Sequence, residues 1–199
     1  MWRRGPWVSA ALVGLLYALF LLESSRRAAS GVGPDLLPER WVLAGDAPRP
    51  WQFVTYAAVH IDRTHVLSNC LLLALAGAWL EPIVGGVRVA ALALLSAVLV
   101  AIVFVLTSDR DLCGASGASA AFISASLCAA LAARSRSRWL RAAVAVLCVC
   151  YIALFDAAPA LDTVHPSQRI HAIGYAAGAA LFGVNAALSR RRSSRVGLR

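Results

Sequence analysis

A short run of small residues around one serine is the part of this chain whose residue types could do chemistry. Residues 113–121 read CGASGASAA, and Ser116 is flanked there by Gly114 and Gly117 at the start of an apolar stretch. A serine hydroxyl becomes an effective nucleophile only when a nearby base takes its proton. Histidine is the side chain best suited to take that proton near neutral pH. This chemistry therefore requires a histidine from elsewhere in the chain.

Two other segments carry the polar groups that such a serine needs. One contains His65 and Asn69, which are four residues apart and so share a helix face. The other contains His171, with Gly174 and Gly178 following on the same face. These two glycines form a GxxxG pair, which lets membrane helices approach closely. The spacing predicts that His171 is brought to the serine by close packing of two helices.

Attack of a serine on a carbonyl places negative charge on oxygen, and preorganised donors must stabilise that charge. The sequence offers three donors, namely the His65 side chain, the Asn69 amide and the backbone N–H of Ser116. These groups are predicted to form an oxyanion hole next to the nucleophile.

Two carboxylates precede the candidate base in the chain. Asp156 and Asp162 lie 15 and 9 residues before His171, in a polar segment expected to be a loop. Neither is expected on sequence grounds to orient the imidazole. The chemistry is therefore predicted to depend on Ser116 and His171 alone, without a third member.

The composition indicates that these residues lie in a membrane. The chain has 199 residues, of which 60% are hydrophobic and 15% charged, whereas soluble domains are about 25% charged. The net charge of +9 does not indicate nucleic-acid binding, because the chain has no lysine and its arginines lie at the ends of apolar segments. No HExxH motif is present, and neither a metal nor another cofactor is expected.

The apolar segments predict an all-α fold, a six-transmembrane-helix bundle in a single domain covering residues 1–199. The predicted spans are 7–22, 65–81, 87–106, 115–133, 139–155 and 169–188. The long first loop between the first two spans contains several glycines, prolines and aromatic residues, and part of it is expected to lie in the membrane interface. A cleaved signal peptide is the alternative for the first span.

Six spans place both termini on one side of the membrane, and the arginines indicate which side. Twelve arginines fall on the side of the termini and seven on the other, mostly in the long first loop. Positive residues in short loops mark the cytoplasm, so both termini are predicted to be cytoplasmic. His65, Ser116 and His171 then all lie near the outer ends of their spans. Polar groups at such positions are costly and are therefore functional candidates.

Each motif taken alone has a structural alternative. The small residues around Ser116 could serve only helix packing, and His65 with Asn69 could only link two helices. Their common depth favours a catalytic site over these alternatives. A transporter would show repeated halves and helices broken at the membrane centre, and the sequence shows neither.

At these positions the sequence resembles the rhomboid intramembrane serine proteases. The matching residues follow the family order: Trp51, His60, His65-xxx-Asn69, Gly77-xxx-Glu81, Gly114-x-Ser116-Gly117 and His171-xx-Gly174-xxx-Gly178. The resemblance implies a six-helix fold with a Ser116–His171 dyad. It also implies an oxyanion and substrate-binding region formed by His65, Asn69, Gly114 and Gly117, and a first loop half sunk in the membrane.

Two positions depart from the family pattern. Gln52 follows Trp51 where many rhomboids have an arginine, and Ala120 stands where many have a tyrosine packed on the catalytic histidine. His171 must therefore be held in some other way. The missing tyrosine and the small size of the chain favour the rhombosortase branch of the family.

The rhombosortase resemblance implies exported protein substrates that end in a Gly-Gly motif, one apolar helix and a basic tail. A housekeeping rhomboid that cleaves other single-span proteins is the alternative, and a non-catalytic rhomboid-like binding protein is the second. The expected partners are the lipid bilayer and such single-span substrates, with no nucleic acid. The expected location is a bacterial inner membrane, which the chain crosses several times.

Overall fold

The computed structural model describes residues 5–30, 40–132, 136–157 and 166–196, and this part of the chain is helical. The longer helices are α1 (Trp7–Ser30), α3 (Arg63–Val84), α4 (Gly86–Thr107), α5 (Ser116–Ala132), α6 (Arg138–Tyr151) and α7 (Pro166–Val196). The first loop contains a short helix, α2 (Gln52–Thr55), and a 3₁₀ turn (Tyr56–Ala58). A π-helical turn (Ile152–Ala157) continues α6.

The prediction of an all-α membrane fold is confirmed. Within the described residues, five helices are long and apolar enough to cross a membrane. They span Trp7–Ala29, Arg63–Val84, Gly86–Thr107, Arg138–Ala157 and Ser167–Ala187. The remaining apolar helix, α5, has 17 residues and rises only about 25 Å, less than the hydrocarbon thickness of about 30 Å.

Several predicted boundaries differ from the helices observed: α3 continues past residue 81 to Val84, and α7 begins at Pro166 and continues past residue 188 to Val196. α1 continues to Ser30 rather than ending at residue 22, and Glu23 and Arg27, one turn apart on this extension, form an ion pair at 3.6 Å. The fifth apolar segment continues past residue 155 as the π-helical turn. Asp156, which was expected in a loop, therefore lies on the last turn of a helix.

α5 lies at the centre of the bundle. It packs against α3, α4, α6 and α7, and every residue from Gly117 to Ser126 is buried. The sequence explains this position, since twelve of the 17 residues of α5 are alanine, serine or glycine and the helix has no charged face. The first three turns of the helix that begins at Ser116 are thus enclosed by other helices.

α5 and α7 approach each other through glycines. A Cβ added at Gly174 would lie 2.2 Å from the carbonyl oxygen of Gly117, and one at Gly178 would lie 2.1 Å from the carbonyl oxygen of Ala121. Real Cβ atoms do not come this close to backbone oxygens. The GxxxG pair therefore sets the spacing of the two helices.

A buried carboxylate joins the start of α1 to α3. Glu81 Oε1 accepts the backbone N–H of Val8 at 2.9 Å, while Oε2 accepts the N–H and the hydroxyl of Ser9 at 2.8 and 2.7 Å. The first N–H groups of a helix have no partner within the helix and favour an acidic group nearby. Gly77 completes the contact, because a Cβ there would lie 2.4 Å from Ser9 Oγ.

The first loop holds the segment that leads into α5. Leu43 and Leu112 form an isolated antiparallel bridge, with N···O distances of 3.0 and 2.9 Å. Tyr56 accepts the N–H of Gly114 on its carbonyl oxygen at 2.9 Å and donates its hydroxyl to the Ala97 carbonyl at 2.9 Å. The approach to Ser116 is thereby tied to both the loop and α4.

Candidate active site

A cavity of about 250 Å³ lies at the end of the bundle where α3, α5 and α7 begin. Its wall is formed by His65, Ser68, Asn69, Leu72, Ser116, Ser119, Ala120, Tyr151, Ser167, His171 and Tyr175. The four side chains that the sequence analysis assigned to nucleophile, base and donors all belong to this wall. The fold therefore brings together residues that are up to 106 positions apart in the chain.

Ser116 is the first residue of α5 and is half-buried at the cavity wall. The first N–H groups of a helix, here those of Ser116 and Gly117, have no acceptor within the helix. The same end of the helix carries partial positive charge. A negative oxygen next to Ser116 would therefore meet backbone donors and a favourable helix dipole.

His65 lies against the backbone just before the serine. Gly114 has a φ of +102°, which favours glycine, and a Cβ there would lie 2.6 Å from His65 Cε1 and 2.8 Å from Nε2. Asp62 fixes the start of α3, since its Oδ1 accepts the backbone N–H of His65 at 2.8 Å. Gly114 thus makes room for the imidazole beside the α5 start.

Asn69 links α3 to α5 through its side-chain amide. Its Oδ1 accepts the Ser119 hydroxyl at 2.8 Å, and its Nδ2 donates to the His65 carbonyl at 3.0 Å and lies 3.3 Å from His60 Nε2. Both amide hydrogens therefore have acceptors in the scaffold. An oxyanion would receive one of these hydrogens only in exchange for an existing bond.

His60 is a buried histidine to which the sequence analysis gave no role of its own. It is 1% exposed, and its Nε2 lies 3.3 Å from both the Ala115 N–H nitrogen and Asn69 Nδ2. Because both neighbours are donors, Nε2 must be unprotonated, while Nδ1 faces the Ala58 carbonyl at 3.4 Å. Burial, helped by His65, lowers the pKa of His60 to about 4.

We expect this histidine to make the fold less stable in mild acid. The pKa of His60 falls from 6.5 to about 4 on folding, so its contribution is complete above about pH 6.5 and is lost as the pH falls toward 4. The loss amounts to about 3 kcal/mol. Thermal unfolding of the purified protein in detergent between pH 7 and 4 measures it.

His60→Gln is the matched variant, because it removes the titrating group and keeps a polar side chain. The carboxylates and the remaining histidines are present in both proteins, so the difference between the two pH profiles isolates the contribution of His60. Parallel profiles for the native chain and His60→Gln would contradict the prediction.

The close packing of α5 and α7 places His171 beside the start of α5. Ile170 and Gly174, on either side of it, both lie against Gly117. A Cβ at Gly117 would lie 3.2 Å from Ile170 Cγ2, and a Cβ at Gly174 would lie 2.2 Å from the Gly117 carbonyl oxygen. His171 and Ser116 consequently line the same cavity. The pairing predicted from the sequence is one that this packing permits.

Asp156 lies closer to His171 than the sequence analysis expected. Its Oδ1 lies 2.7 Å from His171 Nδ1, its Oδ2 accepts the Tyr175 hydroxyl, and its backbone oxygen accepts Gln168 Nε2 at 3.2 Å. The expectation was that neither Asp156 nor Asp162 orients His171, and this contact contradicts it for Asp156. The available signal was that residues 168, 171 and 175 share one face of α7; Asp162 lies outside the described residues.

Ala120 occupies the position where the family resemblance led to the expectation of a tyrosine. It is 2% exposed, and a Cβ at Gly174 would lie 2.9 Å from the Ala120 Cβ. A large side chain at this position has no room while α7 lies this close. The imidazole of His171 is instead contacted from α6, through Asp156.

A comparison with known families gives one match. A family model described as the Rhomboid domain matches residues 47–188, which include every residue of the cavity wall. A search of curated proteins gives no match. The match covers more than half of the chain, and the apolar helices indicate an integral membrane protein that crosses the bilayer several times. The chain therefore belongs to the rhomboid family, a family of intramembrane serine proteases.

Proposed function

We propose that this chain is an intramembrane serine endopeptidase in which Ser116 is the nucleophile and His171 the general base. The observation that supports this most directly is their presence on one cavity wall, with His171 Nδ1 bonded to Asp156. That contact leaves Nε2 as the ring nitrogen able to accept a proton. His65 and the start of α5 lie on the same wall as donors for an oxyanion.

In the proposed reaction, Ser116 Oγ attacks the carbonyl carbon of the scissile peptide and its proton passes to His171 Nε2. The tetrahedral intermediate then loses the amine, which takes the proton from His171, and an acyl-serine remains. Water attacks this ester, gives one proton to His171, and releases a carboxylic acid as the serine regains its proton. Each turnover consumes one water and returns both side chains to their starting states.

The oxyanion of these intermediates is assigned to the backbone N–H of Ser116 and the His65 side chain, with the Asn69 amide as a third donor. Helix N-termini stabilise negative charge, and fixed dipoles act strongly in a site with little water. Gly114 and Gly117 support this arrangement by lacking side chains, since a Cβ at Gly114 would meet the His65 ring and one at Gly117 would meet Val100 and Ile170.

In the proposed membrane arrangement α5 also crosses the membrane, as the fourth of six spans along the chain, and the first loop lies in the interface. The 17 residues of α5 suffice because other helices surround it, so it need not match the lipid thickness. The arginine distribution supports cytoplasmic termini in a bacterial inner membrane, with the cavity in the outer half.

The proposed substrates are exported proteins with a C-terminal Gly-Gly motif, one apolar helix and a basic tail, as in the rhombosortase branch. The replacement of the expected tyrosine by Ala120 supports this assignment. Such a tail matches the proposed orientation of the site. Its basic end would remain in the cytoplasm, and its glycines would unwind easily near the cavity in the outer half of the membrane. The substrate helix itself would lie in the bilayer beside the enzyme.

Labelling with a fluorophosphonate tests the proposed chemistry without knowledge of the substrate. We expect the purified protein in detergent to be labelled and Ser116→Ala to be unlabelled, because the probe reacts with activated serines. Ser124→Ala is the control, since Ser124 is a buried serine on the same helix that donates to the Ala121 carbonyl. Equal labelling of the native chain and Ser116→Ala would refute the proposal.

Co-expression with tailed substrates tests the assignment to the branch. One substrate carries Gly-Gly before its apolar helix, and the other carries Leu-Leu at the same positions. Cleavage of the first alone, abolished by Ser116→Ala, supports the rhombosortase assignment. Equal cleavage of both favours a housekeeping rhomboid. If the protein neither cleaves these substrates nor reacts with the fluorophosphonate, a non-catalytic binding protein is favoured.

A further inference from the structure

We infer that Asp156 is a positioning residue that holds His171 in one orientation and one tautomer, so that the site works as a triad. The inference rests on the proposed function, since it assigns to Asp156 a role in the proton transfer between Ser116 and His171. It adds a carboxylate, from the π-helical turn after α6, to a cavity wall formed by α3, α5, α7 and Tyr151 at the end of α6.

One face of α7 is arranged around this carboxylate. Gln168, His171 and Tyr175 all contact Asp156, through its backbone oxygen, its Oδ1 and its Oδ2 respectively. Their spacing of three and four residues puts them in one row along α7. Both carboxylate oxygens thus accept hydrogen bonds from the helix that carries the base.

The backbone of α6 changes to present this side chain. Residues Ile152 to Ala157 form a π-helical turn, and such turns re-aim side chains relative to a regular α-helix. Asp156 is only 9% exposed, and a carboxylate buried to that degree is costly unless its oxygens are hydrogen-bonded. The bonds to His171 and Tyr175 offset that cost.

The contact determines which nitrogen of His171 can act as base. An ionised carboxylate only accepts hydrogen bonds, so the nitrogen 2.7 Å from Asp156 Oδ1 carries the proton. Nε2 is then the acceptor for the Ser116 proton. After that transfer, the carboxylate also stabilises the imidazolium that forms.

A purely structural role for Asp156, as a link between α6 and α7, makes a different prediction. A structural link affects the stability of the bundle, and activity would fall only as far as the folded fraction falls. If Asp156 positions His171, its substitution lowers kcat in the folded protein and changes the tautomer of His171. These readouts separate the two roles.

The test compares Asp156→Asn with the native chain in detergent, using cleavage kinetics and the rate of fluorophosphonate labelling. We expect kcat and the labelling rate to fall about 100-fold, with KM within about twofold, since asparagine no longer enforces one tautomer. Asp109→Asn is the matched control, because Asp109 is exposed at the end of α4 and does not line the cavity. It should retain native rates.

Two further measurements keep the test decisive if Asp156→Asn folds poorly. Tyr175→Phe removes the hydroxyl bond to Oδ2 and should lower kcat by about fivefold with little change in KM. ¹⁵N NMR of the native protein, with Ser116→Ala as reference, should show His171 protonated at Nδ1 and bare at Nε2. The opposite tautomer, or native kcat in folded Asp156→Asn, would overturn the inference.

The failure of this inference differs from failure of the proposed function. If Ser116→Ala still cleaves and labels, the enzyme assignment itself fails. If Ser116→Ala is inactive while Asp156→Asn keeps native kcat and labelling rate, Ser116 and His171 act as a dyad and Asp156 is only a structural link.

Discussion

Ser116→Ala and His171→Ala are each expected to lower kcat/KM for a cleaved substrate by at least about 10³-fold, and the double variant is expected to lower it no further. The reason is that one side chain activates the other. Without the hydroxyl, the imidazole has no proton to accept, and without the imidazole the hydroxyl is a weak nucleophile. The remaining rate would come from binding and from the oxyanion donors.

The measurement is the cleavage rate of a single-span substrate by the two single variants and the double variant in detergent. Ser124→Ala serves as the reference for a serine lost elsewhere on α5. If the losses in the double variant multiply, the two residues act independently and the proposed proton transfer is wrong.

Gly174→Ala is expected to lower the free energy of unfolding by about 3 kcal/mol and to reduce activity with it. The added Cβ would lie 2.2 Å from the Gly117 carbonyl oxygen and 2.9 Å from the Ala120 Cβ. Its nearest neighbour is backbone and cannot rotate away, so α7 must move outward. That movement separates His171 from Ser116, because both lie at this contact.

Gly183→Ala is the control on the same helix, since a Cβ there would meet nothing within 4 Å. It is expected to be neutral or stabilising by up to about 1 kcal/mol, because alanine favours a helix over glycine. Thermal unfolding in detergent, followed by circular dichroism, compares the two variants. Equal stability for Gly174→Ala and Gly183→Ala would show that the helices do not pack through Gly174.

Much of the helix content could be predicted, because the hydropathy of a segment's own residues indicates whether it forms a transmembrane helix. The proximity of Ser116, His65 and His171 could also be predicted, since all three lie near the ends of spans that run in compatible directions. The GxxxG spacing further indicated which helix approaches α5. The match of the Rhomboid domain to residues 47–188 agrees with that pattern.

The contact of Asp156 with His171 could not be predicted in this way. A regular continuation of α6 and a π-helical turn direct residue 156 to different sides, and local hydropathy does not distinguish them. The bond therefore depends on how α6 and α7 pack, which is a long-range property. The partners of Asn69 escaped prediction for the same reason, because His60 and Ser119 lie on other segments.

The bridge between Leu43 and Leu112 is a further case. It joins residues 69 positions apart through two backbone hydrogen bonds, and backbone pairing leaves little trace in side-chain identity. The aromatic content of the first loop indicated an interfacial position. It did not indicate that the loop also restrains the segment before Ser116.

The enclosure of α5 has a consequence for how the protein responds to its lipid surroundings. Because ten consecutive residues from Gly117 to Ser126 are buried, acyl chains do not reach the first three turns of the helix that carries Ser116. The least buried candidate spans are α1 and the one formed by α6 with its π-helical turn. We expect these outer helices to tilt first when the bilayer is thicker or thinner. The depth of the serine hydroxyl is accordingly set by protein packing rather than by membrane thickness.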